Sequence, residues 1–169
     1  MKIKAILATI VVAAATLFSS QDAKAQGFEL WYQGEVDLGY SIGIGDLNVN
    51  RLNVSTVQGV RVGGFFSAGL SAGVDWYHGD GNSADFFIPV GVNIKGYIPL
   101  DNYEPFATVD VGYGISAVED MNGGLHAGIG VGIMLSAFKI QAGYNVQQVS
   151  VFGIPFNLSA VQVKLGVVF

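Results

Sequence analysis

Few residues of this chain could act chemically on a substrate, and Ser116 and His126 are the best placed. The connection between them carries Glu119 and Asp120. A serine, a histidine and a carboxylate form the set that acyl transfer uses. The expected hairpin makes Ser116 and His126 neighbours, yet no pattern supplies an oxyanion hole. We therefore predict a hydrogen-bonding role for His126 and no enzymatic activity, and both residues stay weak catalytic candidates.

Metal and cofactor sites are not indicated either. His78 follows Trp76 and Tyr77, which is typical of a membrane interface, and His126 belongs to another hairpin. The two histidines therefore lack the spacing of metal ligands. The GIGVG stretch over 128–132 continues a strand pattern with no helix after it, which argues against a nucleotide-binding loop. We predict no cofactor and no metal.

The first 25 residues predict a secretory signal peptide. Two lysines precede an apolar run over 5–18, and an Ala-Lys-Ala sequence ends at Ala25. This order is that of a cleaved leader. The run is shorter than the roughly 20 residues of a membrane-spanning helix. We expect cleavage after Ala25 and one domain over 26–169.

The charge balance of the expected mature chain narrows the possible partners. Residues 26–169 hold 5 basic and 12 acidic side chains, a net charge of −7. An acidic chain of this kind does not suit a nucleic-acid partner, which requires a basic face. The sequence contains no cysteine, so disulfides play no part in its stability.

The elements that must position these residues are strands. From residue 28 onward apolar and polar residues alternate with period two, as Val36, Leu38 and Tyr40 do with Asp37 and Gly39. Eight such runs follow one another. The connections fall at 46–50, 63–64, 79–84, 99–105, 118–123, 136–137 and 150–157. Their short lengths favour consecutive antiparallel hairpins.

The positions of the charges indicate which face is outside. All five basic residues of the expected mature chain share the polar face with four carboxylates. They are Arg51, Arg61, Lys95, Lys139 and Lys164, with Glu35, Asp37, Asp75 and Asp110. An outer surface built from the remaining small residues, mostly glycine, would be unusual, whereas a narrow lumen accommodates them. We predict an all-β, eight-stranded antiparallel up-and-down transmembrane β-barrel whose apolar face meets lipid.

Aromatic residues are expected to form a girdle at each interface. One predicted girdle contains Trp31, Tyr32, Phe65, Phe66, Tyr97, Tyr103, Phe106, Phe138 and Phe169. The other contains Trp76, Tyr77, Phe86, Phe87, Phe152 and Phe156. The alternative is aromatic packing in the core of a soluble sandwich.

Charges inside a dry barrel require partners, because an isolated buried charge costs several kcal/mol. Pairing Gly45 with Arg51 across the first hairpin sets a register. That register places Glu35 opposite Arg61, and closure by the last strand brings Lys164 near Glu35. A similar count across the fourth and fifth strands places Lys95 near Asp110. The predicted lumen charge network is therefore Glu35 with Arg61 and Lys164, and Lys95 with Asp110.

Four stretches of the chain carry a family resemblance. They are VQGVRVGGFFSAGLSAGVDWYHGD, FFIPVGVNIKGYIPL, EPFATVDVGYGIS and GGLHAGIGVGIML. Together they resemble the small outer membrane protein β-barrel domain family of Gram-negative bacteria, over essentially all of 26–169. The resemblance implies an outer-membrane location with both chain ends periplasmic. It implies outer-membrane lipids, lipopolysaccharide, the assembly machinery and periplasmic chaperones as partners.

The end of the chain, LGVVF, is similar to the terminal signal that the assembly machinery reads in such proteins. Leu165, Val167 and Phe169 are its apolar positions. An unpaired apolar strand is a template for strand addition. No activity follows from the resemblance, because barrels of this type include structural, adhesive and enzymatic members.

We expect an integral outer-membrane barrel with a structural or envelope-maintenance role and a lumen filled by side chains. The alternative is a narrow channel or binding site for small solutes, because many lumen-facing positions are glycine. The third possibility is a lipid-modifying enzyme of the outer membrane.

Overall fold

The computed structural model describes residues 29–45, 49–78, 85–117, 121–151 and 154–169. The expected signal peptide, its cleavage site and Phe152 lie outside these residues. The strands are β1 (Leu30–Ile44), β2 (Asn50–Val62), β3 (Phe66–His78), β4 (Asp85–Tyr97), β5 (Glu104–Ser116), β6 (Met121–Asn122), β7 (Gly124–Leu135), β8 (Phe138–Val151) and β9 (Ile154–Val168). The described residues include no helix of the length and apolarity that a helical membrane span requires.

The strands form one closed antiparallel barrel. Each main strand pairs with the next along the chain, and β9 pairs with β1 to complete the circle. The two residues of β6 extend the line of β7 beside β8, and the register shifts by one residue between them, which is a β-bulge. The wall therefore has eight strands, and the predicted up-and-down topology is confirmed.

The two faces of the wall are inverted relative to a soluble protein. Leu38, Ile42 and Leu165 on the outer face are more than half exposed, whereas Glu35 and Arg51 on the inner face are each 1% exposed. In water such an outer face would be a very large apolar patch. In a bilayer it matches the hydrocarbon, while the lumen shelters the charges. The predicted inside-out arrangement is confirmed.

The two ends of the barrel differ in their connections. At one end β2 and β3 are joined through Gly63 and Gly64, whose φ angles are 56° and 77°. Glycine adopts this left-handed conformation without the Cβ clash of other residues, and it suits a tight hairpin. The turn of Ser136 and Ala137 and both ends of the described chain lie at the same end, which we call the short-turn rim. We call the opposite end the loop rim.

The barrel closes where β9 meets β1, and Gly34 is the residue that makes room for this contact. The Gly34 amide donates to the Phe169 carbonyl at 2.7 Å, and the Phe169 amide donates to the Gly34 carbonyl at 2.9 Å. A Cβ on Gly34 would lie 2.5 Å from Cε2 of the Phe169 ring and 2.8 Å from the Tyr32 hydroxyl. The ring of Phe169 thus takes the space that a side chain would fill.

The predicted girdles are only partly correct. Exposed, outward-facing members are Phe66, Phe138 and Phe169 near the short-turn rim and Trp76 and Phe86 near the loop rim. Phe65 and Tyr103 are exposed in the connections. Trp31 and Phe156 are exposed at strand ends, but on lumen-facing positions opposite Arg61 and Val149. Four other members, Tyr77, Phe87, Tyr97 and Phe106, are buried instead. They lie on lumen-facing positions of their strands. Because adjacent residues of a strand face opposite sides, Trp76 and Tyr77 cannot both meet lipid.

We predict that Gly34→Ala weakens closure of the barrel. The added methyl group displaces the exposed Phe169 ring and the Tyr32 hydroxyl, so we expect a loss near the lower end of the roughly 1–3 kcal/mol that overpacking costs in a core. The measurement is the temperature at which the folded barrel loses its distinct gel mobility in detergent. Gly96→Ala is the matched control, because a Cβ on Gly96 meets no other heavy atom within 4 Å. Equal midpoints for the two variants would contradict the role assigned to Gly34.

Candidate functional site

The centre of the lumen is held by a carboxylate that binds two ammonium groups. Lys95 Nζ on β4 lies 2.8 Å from Glu35 Oε1 on β1, and Lys139 Nζ on β8 contacts Glu35 Oε2. Lys139 also lies 3.1 Å from Asp37 Oδ1. These four side chains are at most 3% exposed. We call them the central cluster, and its two positive and two negative charges balance.

A second group of charges lies toward the loop rim. Arg51 Nε is 3.4 Å from Asp75 Oδ2, and an Arg51 guanidinium nitrogen donates to the Tyr77 hydroxyl at 3.1 Å. The same guanidinium also donates to Asn145, and Asn53 donates to Asp75. Arg51 and Asp75 are almost fully buried. This loop-side cluster again joins opposite charges from different strands.

A third ion pair lies toward the short-turn rim. Arg61 Nη2 lies 2.8 Å from Glu104 Oε2 and 2.6 Å from the carbonyl of Gly64. Its guanidinium carbon lies 4.1 Å from the centre of the Tyr97 ring, a distance typical of a cation–π contact. Glu104 remains about one quarter exposed. This pair therefore meets more solvent than the central cluster does.

Apolar side chains fill the lumen beyond the charged layers. Tyr97, Phe106 and Met134 pack together near the short-turn rim. Tyr77, Phe87 and Val149 pack together near the loop rim. Between these two groups lies a cavity of about 50 Å³. Because a water molecule requires roughly 10–15 Å³ of such volume, this cavity has room for only a few waters.

The structure does not bring Ser116 and His126 together, so this prediction is wrong. His126 pairs with Gly112, whereas Ser116 pairs with Phe87 on the other side of its strand. Gly112 and Ser116 are four residues apart, roughly 13 Å along a strand. The prediction treated Met121 and Asn122 as part of the connection, but they belong to β6. Glu119 and Asp120 lie outside the described residues.

His126 instead takes part in a polar contact within the lumen. Its Nδ1 lies 3.2 Å from Gln147 Oε1, and its Nε2 lies 3.5 Å from Asp110 Oδ1. Gln147 is fully buried and also donates to the Gly124 carbonyl at 3.2 Å. Along the described ranges no three His, Cys, Asp or Glu side chains group as a metal site would require.

The predicted register of the first hairpin is also wrong. Arg51 pairs with Ser41 rather than Gly45, so Glu35 lies opposite Val57 and not opposite Arg61. Ser41 is the last residue of β1 that pairs with β2, whereas pairing with β9 continues to Ile44. The connection after β1 is therefore longer than the count assumed.

The five residues of the predicted charge network all face the lumen region, but with other partners. Arg61 pairs with Glu104, and Lys164 Nζ donates to Ser55 Oγ at 3.3 Å. Asp110 is opposite Asn93, and Lys95 is opposite Thr108. Of that network only Glu35 and Lys95 form an ion pair with each other, a combination the sequence did not indicate. Lys139 and Asp37 complete the central cluster. The sequence indicated that both residues face the lumen, but it did not indicate their partners.

Comparison with known proteins defines the class of the fold. No protein-family model and no curated protein matches the chain. Among solved structures it is similar to Neisserial surface protein A, with a TM-score of 0.62 and 10% identity over 82% of this chain and 97% of that one. It is also similar to the outer membrane enzyme PagL, with a TM-score of 0.59 and 10% identity over 78% and 97%. The fold is that of small eight-stranded outer-membrane β-barrels.

We predict that Glu35→Gln strongly destabilises the barrel. The change leaves Lys95 and Lys139 buried with one carboxylate between them, and breaking a buried pair in this way typically costs about 3–5 kcal/mol. The measurement is the free energy of unfolding from a urea titration of the barrel in vesicles. Glu104→Gln removes a partner that is about one quarter exposed, and Arg61 keeps its contacts with the Gly64 carbonyl and the Tyr97 ring, so we expect a smaller loss. Similar losses in both variants would contradict the central cluster's importance.

Proposed function

We propose that this protein is a non-conducting structural barrel of the outer membrane that helps to maintain the cell envelope. The observation that carries the proposal is the occupied lumen, in which a charge-balanced central cluster lies between two packed apolar groups. A barrel filled in this way contributes its shape and its lipid-facing wall rather than a pathway.

The filled lumen argues against the alternative of a narrow channel. A permeating ion would have to separate Glu35 from Lys95 and Lys139, whose side chains are 2% exposed. Leaving such charges unpaired is strongly unfavourable. The cavity of about 50 Å³ is also far below the roughly 300–1,000 Å³ of small-molecule sites.

The positions of the weak catalytic candidates argue against the third possibility. PagL is an outer membrane enzyme, but a shared barrel does not carry an activity with it. In this chain His126 contacts Gln147 and Asp110, and Ser116 lies on a distant part of β5. Within the described residues the imidazole therefore contacts an amide and a carboxylate rather than a nucleophile, and a non-catalytic role fits these positions best.

The proposed location is the outer membrane of a Gram-negative bacterium, with both ends of the barrel domain in the periplasm. Proposed partners are outer-membrane lipids, lipopolysaccharide, periplasmic chaperones and the assembly machinery. Leu165, Val167 and Phe169 support an assembly signal, because all three are exposed on the outer face of the strand that closes the barrel. Signal-peptide cleavage after Ala25 remains a prediction.

We predict that the purified barrel produces no discrete conductance steps in a planar lipid bilayer, because the central cluster blocks the lumen. The measurement is single-channel recording with a 16-stranded porin as the positive control. The heat-dependent gel mobility of the same sample establishes that the barrel is folded. Reproducible openings from folded protein would overturn the proposed function in favour of the channel.

A further inference from the structure

The lipid-facing wall contains a recess that the lumen does not explain. It has a volume of about 340 Å³. It is lined by Tyr32, Gln58, Val60, Ala68, Leu70 and Val92, with Gly59 and Gly69 at its base. Gly59 and Gly69 pair directly, and a Cβ on Gly59 would lie 2.5 Å from the Gly69 Cα. The recess is mostly apolar and reaches the size of small-molecule sites, roughly 300–1,000 Å³.

A chain of hydrogen bonds runs along one edge of this recess. The Tyr32 hydroxyl donates to Gln58 Oε1, and Gln58 Nε2 donates to Thr56 Oγ1 at 2.6 Å. The Thr56 hydroxyl then donates to the Glu35 carbonyl at 2.7 Å. Polar groups that face hydrocarbon require partners, because an unsatisfied one costs several kcal/mol. The Gln58 amide has two N–H groups, and Thr56 takes one of them.

The Gln58 amide lies near the short-turn rim. Gln58 pairs with Gly34, and Gly34 exchanges backbone hydrogen bonds with Phe169. The neighbouring Val168 amide donates to the carbonyl of Ala137, a residue of a rim turn. Gln58 is thus two strand spacings, roughly 10 Å around the wall, from the exposed ring-bearing residue Phe169 at the short-turn rim. We place the headgroup boundary at this rim from the exposed, outward-facing rings of Phe66, Phe138 and Phe169, since aromatic rings favour that interface. Glycerophospholipids carry their ester groups at this boundary, within reach of the Gln58 level.

We propose that the recess binds one glycerophospholipid from the leaflet at the short-turn rim. One acyl chain lies in the recess over Ala68, and an ester carbonyl accepts the second N–H of Gln58. A flexible chain can fill a concave apolar surface. A second copy of the chain is a less suitable occupant. A two-fold dimer would place the two recesses face to face and enclose an empty space, and the atoms lining that space would lack dispersion contacts. The inference requires a barrel in a bilayer but not a closed lumen, so the conductance result tests it separately from the proposed function.

The test is native mass spectrometry of the folded barrel in mild detergent. The detergent contains equal amounts of diester and diether phosphatidylethanolamine with the same chain length. We expect one retained lipid, with the diester form favoured about fivefold, as the loss of one hydrogen bond predicts. In Gln58→Leu the diester preference disappears. In Ala68→Phe the new ring occupies the recess, and retention falls to background.

Ala142→Phe is the matched control, because Ala142 is an outward alanine on β8, away from the recess. It should retain lipid as the unaltered chain does. Heat-dependent gel mobility verifies that each variant is folded. Equal retention in Ala68→Phe and Ala142→Phe would overturn the recess as the site, and equal retention of diester and diether lipid by the unaltered chain would overturn the carbonyl contact. A dimer mass that Ala68→Phe abolishes would assign the recess to a second copy instead.

Discussion

Glu35 binds ammonium groups from two other parts of the barrel wall. These charges meet because each strand places its charged residues on the lumen face and keeps them off the lipid-facing one. Lys95 comes from β4 and Lys139 from β8, so the carboxylate on β1 ties three separate strands together. Removing these charges from water is costly, and they are tolerated because each has an opposite partner within the lumen. Lipid adds no hydrophobic force between strands, so backbone hydrogen bonds and these lumen contacts hold the barrel closed.

Glycine has a different role in this lumen from the one that the sequence indicated. Glycine positions that face inward could leave space for a solute, and this possibility supported the channel alternative. In the structure Gly91 pairs with Gly112, and a Cβ on Gly91 would lie 2.9 Å from the Gly112 Cα. Backbones approach at these positions, which allows the wall to curve tightly. Small residues therefore serve the narrow radius of the barrel and do not by themselves create a pathway.

The contact between β9 and β1 that closes the barrel lies next to the recess on the outer surface. Gly34 admits the ring of Phe169 on one side and lies opposite Gln58 on the other. Tyr32 contacts both regions, because its hydroxyl bonds to Gln58 and lies next to the space above Gly34. The seam between β9 and β1 thus lies beside the lipid-facing recess, and Tyr32 borders both. If the recess binds a lipid, the outer wall selects that lipid in addition to forming a stable barrel.

The sequence by itself determined the strands, their number and which face meets lipid, because alternation with period two is a local property of each strand. Asp37 and Lys139, for example, could be assigned to the lumen from their own segments. Only the tertiary structure decided which charges meet. Glu35 contacts residues 60 and 104 positions away, across the lumen rather than along a hairpin. Such contacts depend on connection lengths, on a bulge at β6 and on the stagger of the closed barrel, none of which alternation records. Ser116 and His126 were separated for the same reason, since a shift of register moves every partner along the strand.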